Sequence, residues 1–87
     1  MAQFLYVVDD YQYILKPVFR LNTSKRVRVV GAELYGPKNN RYYGYWDRVN
    51  MPMNLVYQLE QRCRWLYAHQ EFTINQEGYM RDNEKAK

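Results

Sequence analysis

The sequence predicts a small α+β domain: a sheet of four to five strands built around an antiparallel hairpin, with one amphipathic helix packed on one face. Three observations carry that prediction. Two runs rich in β-branched and aromatic residues, 12–21 and 26–34, flank the polar stretch Asn22-Thr23-Ser24-Lys25. After Pro52 the apolar period changes from that of a strand to that of a helix, with Val56, Leu59, Cys63, Leu66 and Tyr67 recurring on one side. A length of 87 residues supports one small domain. That domain is placed at 1–80, with the charged residues 81–87 as a frayed C-terminal tail.

The elements follow in order. Residues 3–8, closed by Asp9-Asp10, read as a first strand or docking arm. The hairpin follows. In its second arm Arg26 and Arg28 alternate with Val27 and Val29, so one side is wet and basic; beyond Val30 the run is continuously apolar and predicts burial on both sides. Gly36-Pro37-Lys38-Asn39-Asn40 ends that strand, because Gly and Asn accept positive φ and proline lacks a donor. Residues 41–46 (RYYGYW) form a fourth strand in which Gly44 marks a bulge or a close backbone approach. Pro52-Met53-Asn54 offers a stop and a cap for a helix that runs to about His69. Residues 71–75 (EFTIN) return to strand chemistry, closed by Gln76-Glu77-Gly78.

Composition narrows the function classes. The chain is 47% hydrophobic and 17% aromatic, which excludes wholesale disorder, and ten tyrosines keep the mean hydropathy at -0.74. Tyrosine joins a large apolar ring to a polar tip, the character of contact surfaces. A net charge of +4 favours anionic partners, although nine acids accompany thirteen bases. The single cysteine, Cys63, excludes an internal disulfide, falls on the apolar helix stripe and reads as inert packing; no Cys/His spacing suits zinc. MAQFLYVVDD has neither the basic start nor the apolar length of a signal peptide or membrane span, so a soluble cytoplasmic protein is expected.

One acid stands out. Glu33 lies among Val29, Val30, Ala32 and Leu34, where a carboxylate is costly unless it is solvated, paired or bound to a metal. Its surroundings, Lys16-Pro17-Val18 and Val30-Gly31-Ala32-Glu33-Leu34, resemble the opening of EAL domains, the cyclic-di-GMP phosphodiesterase family. Residues 59–75, LEQRCRWLYAHQEFTIN, resemble that family's subsequent helix and strand. The resemblance spans about two-thirds of the chain, in short motifs. It implies that Glu33 and Asn75 occupy positions which in the family bind a catalytic divalent cation, of the kind that hard oxygen ligands suit. The departures are Lys16 before the proline and Leu34-Tyr35 after the glutamate, and the later acidic and lysine motifs of the family are absent. Two ligands do not organise two-metal hydrolysis, so the resemblance implies a truncated, degenerate domain without catalysis, cofactor or metal. At most it leaves a residual cyclic-dinucleotide sensor. The alternative is an unrelated small domain in which Glu33 pairs with Arg26, Arg28 or Arg41.

The expected function is a non-catalytic regulatory or interaction protein that binds a partner protein through a basic-aromatic surface. The candidate contact residues are Arg41, Tyr42, Tyr43, Tyr45, Trp46, Arg62 and Trp65. Trp65, flanked by Arg62 and Arg64, is a hot spot if exposed and ordinary core if wrapped onto the next strand. His69 falls at the helix C-terminus, where positive charge is favoured. The alternative is a single-stranded nucleic-acid-binding module using Lys16, Arg20, Arg26, Arg28 and Arg41, since cations beside aromatic rings on a sheet neutralise phosphates and stack bases. A monomer, or a dimer made by strand pairing, is expected.

Overall fold

A computed structural model of the chain describes residues 4–82. Six strands form one antiparallel sheet: β1 (Phe4–Val8), β2 (Tyr11–Leu21), β3 (Val27–Tyr35), β4 (Tyr42–Asp47), β5 (Phe72–Ile74) and β6 (Met80–Asp82). One helix, α1 (Met53–Ala68), crosses it. The sheet order is β4-β3-β2-β6-β5, and β1 shares the outer side of β2 with β6. The predicted class and hairpin are therefore present. The fourth strand, read at 41–46, lies one residue later and extends the hairpin, and the first strand pairs along part of its other edge.

The turn chemistry explains the hairpin. The Asn22 side chain accepts hydrogen bonds from the Ser24 and Arg26 amides, while Lys25 takes φ of 61°. Between Val18 and Phe19 the β2–β3 register slips, leaving Val30 as the extra residue of a bulge. A second slip lies where β4 passes Leu34 and Tyr35. Gly44 takes φ of 132° there with open space around it, so its role is the bulge and not a close approach.

Alternation sends one set of side chains under the helix. Leu15, Phe19, Val29 and Ala32 meet Leu55, Val56, Leu59, Cys63 and Leu66 in a single core, edged by Tyr6, Trp46, Phe72 and Met80. Tyr67, counted on the apolar stripe from its spacing, instead lies on the exposed side and stacks on Phe72 at 5.7 Å. The helix starts within Pro52-Met53-Asn54 as expected: Pro52 is the cap residue, without a side-chain bond, and Asn54 lies exposed in the first turn. The side-chain cap sits earlier, where Asp47 accepts from the Val49 amide and starts a 3₁₀ turn over Arg48–Asn50.

The largest difference is β6. The boundary at residue 80 and the frayed tail beginning at 81 fall inside this strand, whose Asp82 is only 4% exposed; residues 83–87 lie outside the described residues. A β-hairpin is responsible. Asn75 accepts from the Glu77 and Tyr79 amides and Gly78 takes φ of 86°, which turns the chain back onto β5 and β2. Among the described residues, no helix is long and apolar enough to cross a membrane.

Candidate functional site

Residues directly opposite in register share a face of the sheet. Ile14, Tyr35 and Tyr42 align, as do Lys16, Glu33 and Tyr45, and Val18 aligns with Gly31, Asp47 and Arg81. All of these lie on the face turned away from α1, over which no second layer packs among the described residues. Burial on both sides beyond Val30 is thus only partly realised, with Val30, Glu33, Leu34 and Tyr35 half-buried. Gly31 is buried because the Tyr45 ring lies across it; a Cβ there would run into that ring and into the Trp46 carbonyl.

Glu33 is accounted for on this face. Its carboxylate accepts a charge-assisted hydrogen bond from Arg81 and another from the Tyr35 hydroxyl at 3.0 Å. The cation is none of the three expected, because Arg81 belongs to the strand that sequence patterning missed. Burial, and next the bond to Glu33, raise the Tyr35 pKa above its usual value, and the same carboxylate raises that of Arg81. Lys16 lies over the Tyr35 ring at 4.5 Å.

Beside this network lies an open depression of about 470 Å³, floored by Val18 and Val30 and ringed by Tyr42, Tyr45 and Tyr79 with Glu33, Asp47 and Glu77. Tyr42 and Tyr45 are 55% and 47% exposed. The Tyr45 hydroxyl is pushed up to about 12 by burial and then by Asp47, Tyr79, Glu77 and Glu33. Asn75 lines the same depression, so the two positions that the EAL resemblance singles out do converge. Their oxygens have other work: Arg81 and Tyr35 engage Glu33, and the Asn75 side-chain oxygen holds the β5–β6 turn. Among the described residues, no group of three or more His, Cys, Asp or Glu side chains is arranged to hold a metal ion.

The remaining candidates do not form one surface. Tyr43 and Trp46 point to the helix side, where Trp46 meets Tyr6 at 6.0 Å and Tyr43 meets Tyr13 at 6.0 Å; Trp46 is half-buried against the core. Arg41 is exposed at the far end, before β4. Arg62, placed off the helix stripe by its spacing, pairs with buried Asp82 at 2.8 Å, and its side chain is 12% exposed. It is a structural cation, and its removal from the candidate surface follows from β6. Trp65 is not core: it is 37% exposed and stacks on His69 at 4.0 Å, with His69 at the helix C-cap as expected. Cys63 is fully buried, and burial pushes its thiol far up, which suits inert packing.

The cations of the nucleic-acid alternative are likewise divided. Arg20 and Arg28 face each other across β2 and β3 and, with Arg48, line a second depression of about 430 Å³ that shares Val30 and Asp47 with the first. Arg26 lines a third depression, with Asn22, Glu60 and Arg64, to which Arg28 also contributes. The residues that sequence patterning missed are Tyr35, Tyr79, Arg81 and Asp47. The signal for Tyr79 and Arg81 was the polar turn Gln76-Glu77-Gly78 between EFTIN and YMRD, which is hairpin chemistry. Compared with known proteins, the chain matches no family model, and no curated protein or solved structure is significantly similar to it.

Proposed function

We propose that this chain is a non-catalytic interaction module that binds a partner protein through the open face of its sheet. The observation that carries the proposal is the half-exposed tyrosine ring around the depression, on a face that α1 does not cover. Tyrosines are anchor residues of protein contacts, and the mixture of Lys16, Arg20, Arg28 and Arg81 with Glu33, Asp47 and Glu77 suits a partner of mixed charge better than a polyanion. The convergence of Glu33 and Asn75 on one depression supports the EAL-like part of the proposal, as a degenerate domain whose ligand positions now serve the fold.

The test is capture of partners from a lysate of the source organism, with identification by mass spectrometry. Tyr42→Ala/Tyr45→Ala abolishes capture while circular dichroism is preserved. Capture undiminished by that pair of substitutions would remove the open face from the function.

A second reading, single-stranded nucleic-acid binding, is favoured by one observation, the Arg20–Arg28 pair. Like charges directly opposite in a sheet are unfavourable, and a phosphate between them offsets the repulsion. It predicts retardation of single-stranded DNA or RNA with a steep fall of affinity as salt rises. No retardation at low salt would dispose of it.

A further inference from the structure

The residues that line the depression of the open face include three carboxylates, Glu33, Asp47 and Glu77, and no cation. Among the described residues, the ion pairs engage Glu33, Glu60 and Asp82, and they leave Asp47 and Glu77 without a cation at ion-pair distance. Both acids, with Tyr42, Tyr45 and Tyr79, line the same depression. Arg20, Arg28 and Arg48 lie in the adjoining one, on the other side of Asp47. Asp47 spends one oxygen on the Val49 amide, a bond that leaves its charge in place.

Aromatic faces attract cations through the negative centre of the ring quadrupole, and carboxylates at the rim add an electrostatic term of the same sign. The apolar floor of Val18 and Val30 suits a hydrocarbon stem or N-methyl groups better than a fully hydrated ion. We infer that this depression receives the alkylammonium end of a lysine side chain, free or methylated, carried by the partner protein. The inference deepens the proposed function and rests on it for the source of the lysine.

The site itself is tested without a partner, by following the tyrosine ring signals by NMR during titration with tetramethylammonium chloride, and in parallel with tert-butanol as a neutral probe of similar size. Saturable shifts confined to Tyr42, Tyr45 and Tyr79 are expected with the cation alone. Tyr45→Phe retains them, whereas Tyr45→Leu weakens binding by about fivefold to tenfold, the scale of one cation–π contact. Glu77→Gln with Asp47→Asn, which keeps the acceptor for Val49, weakens it by about fivefold as the rim charge is lost. Equal response to both probes, or shifts that do not saturate, would overturn the ammonium site. The source is tested by adding Nα-acetyl-lysine amide, or its Nε-trimethyl form, to the capture at concentrations that saturate the tyrosine shifts: loss of the captured partner with either competitor supports the inference, and capture undiminished by both overturns it. If the untreated protein captures nothing, the partner-protein proposal falls, and the probe titration still decides the site.

Discussion

The two faces of the sheet are made from the same strands and differ in everything else. Under α1, alternate residues of β2 and β3 are Leu15, Phe19, Val29 and Ala32, closed off by helix side chains into one dry core. On the other side their neighbours are Lys16, Glu33, Tyr35 and Arg81, tied by an ion pair, a hydroxyl bond and a cation over a ring. The covered face supplies stability through apolar burial, whereas the open face presents polar tips and ring surface to whatever approaches. A domain of this size builds one core, so chemistry on the second face is free to serve recognition.

The comparison is broken most directly by truncating each face in turn. Leu59→Ala removes a fully buried side chain beneath the sheet and costs about 3 kcal/mol, read from the denaturant midpoint; Tyr42→Ala on the open face gives up one edge contact with the Tyr35 ring and costs about 1 kcal/mol or less. Equal losses would show that the open face is also core.

Nearly as large is the effect of Arg62→Ala. It takes the guanidinium from the buried Asp82 carboxylate and costs about 3 kcal/mol, with loss of amide protection in β6 as the local signature. Retained protection in β6 would mean that this pair does not anchor the last strand.

Gly31→Ala has a smaller effect and sharpens the contrast, since its Cβ projects to the open side against the Tyr45 ring and the Trp46 carbonyl. A loss of about 1–2 kcal/mol is expected, together with a displaced Tyr45 ring resonance. An unmoved ring would show that Tyr45 does not rest on Gly31.

How much of this was legible in the sequence divides along the same line. The covered face was legible because apolar residues recur at strand and helix periods, and the hairpin and α1 follow from that. Asn22 and Gly36-Pro37 carry recognisable turn chemistry. The open face was only half legible. Tyr42 and Tyr45, which share the open face, were grouped with Tyr43 and Trp46, which do not. Strand alternation and the Gly44 bulge separate the two sets, and composition does not show this. Arg62 and Glu33 were misassigned for a single reason. Both partners, Asp82 and Arg81, lie in or at the end of a three-residue strand too short for its period to show. The helix start was legible in Pro52, whereas the 3₁₀ turn that Asp47 caps ahead of it was not.

A last effect, silent at neutral pH, appears only in strong alkali. Free tyrosine titrates near 10, and the Tyr45 hydroxyl is held to about 12 by burial and neighbouring acids. The folded chain therefore binds more protons than the unfolded one between those values. The contribution of Tyr45 is fully present below pH 10 and is lost as pH rises through 12. Tyr45→Phe flattens that part of the stability profile and removes one late step from the tyrosinate absorbance titration. Loss of an ordinary step near pH 10 instead of a late one would show that Tyr45 ionises as a solvated phenol.

The claim that the open face is the functional one is tested most directly by comparing partner capture between two matched variants. One is Tyr42→Ala/Tyr45→Ala on the open face, and the other is Tyr57→Ala/Tyr67→Ala on the exposed side of α1. Loss of capture by the first alone, with both variants folded, is the expected result. Loss by the helix variant alone, with the open-face variant still binding, would contradict it.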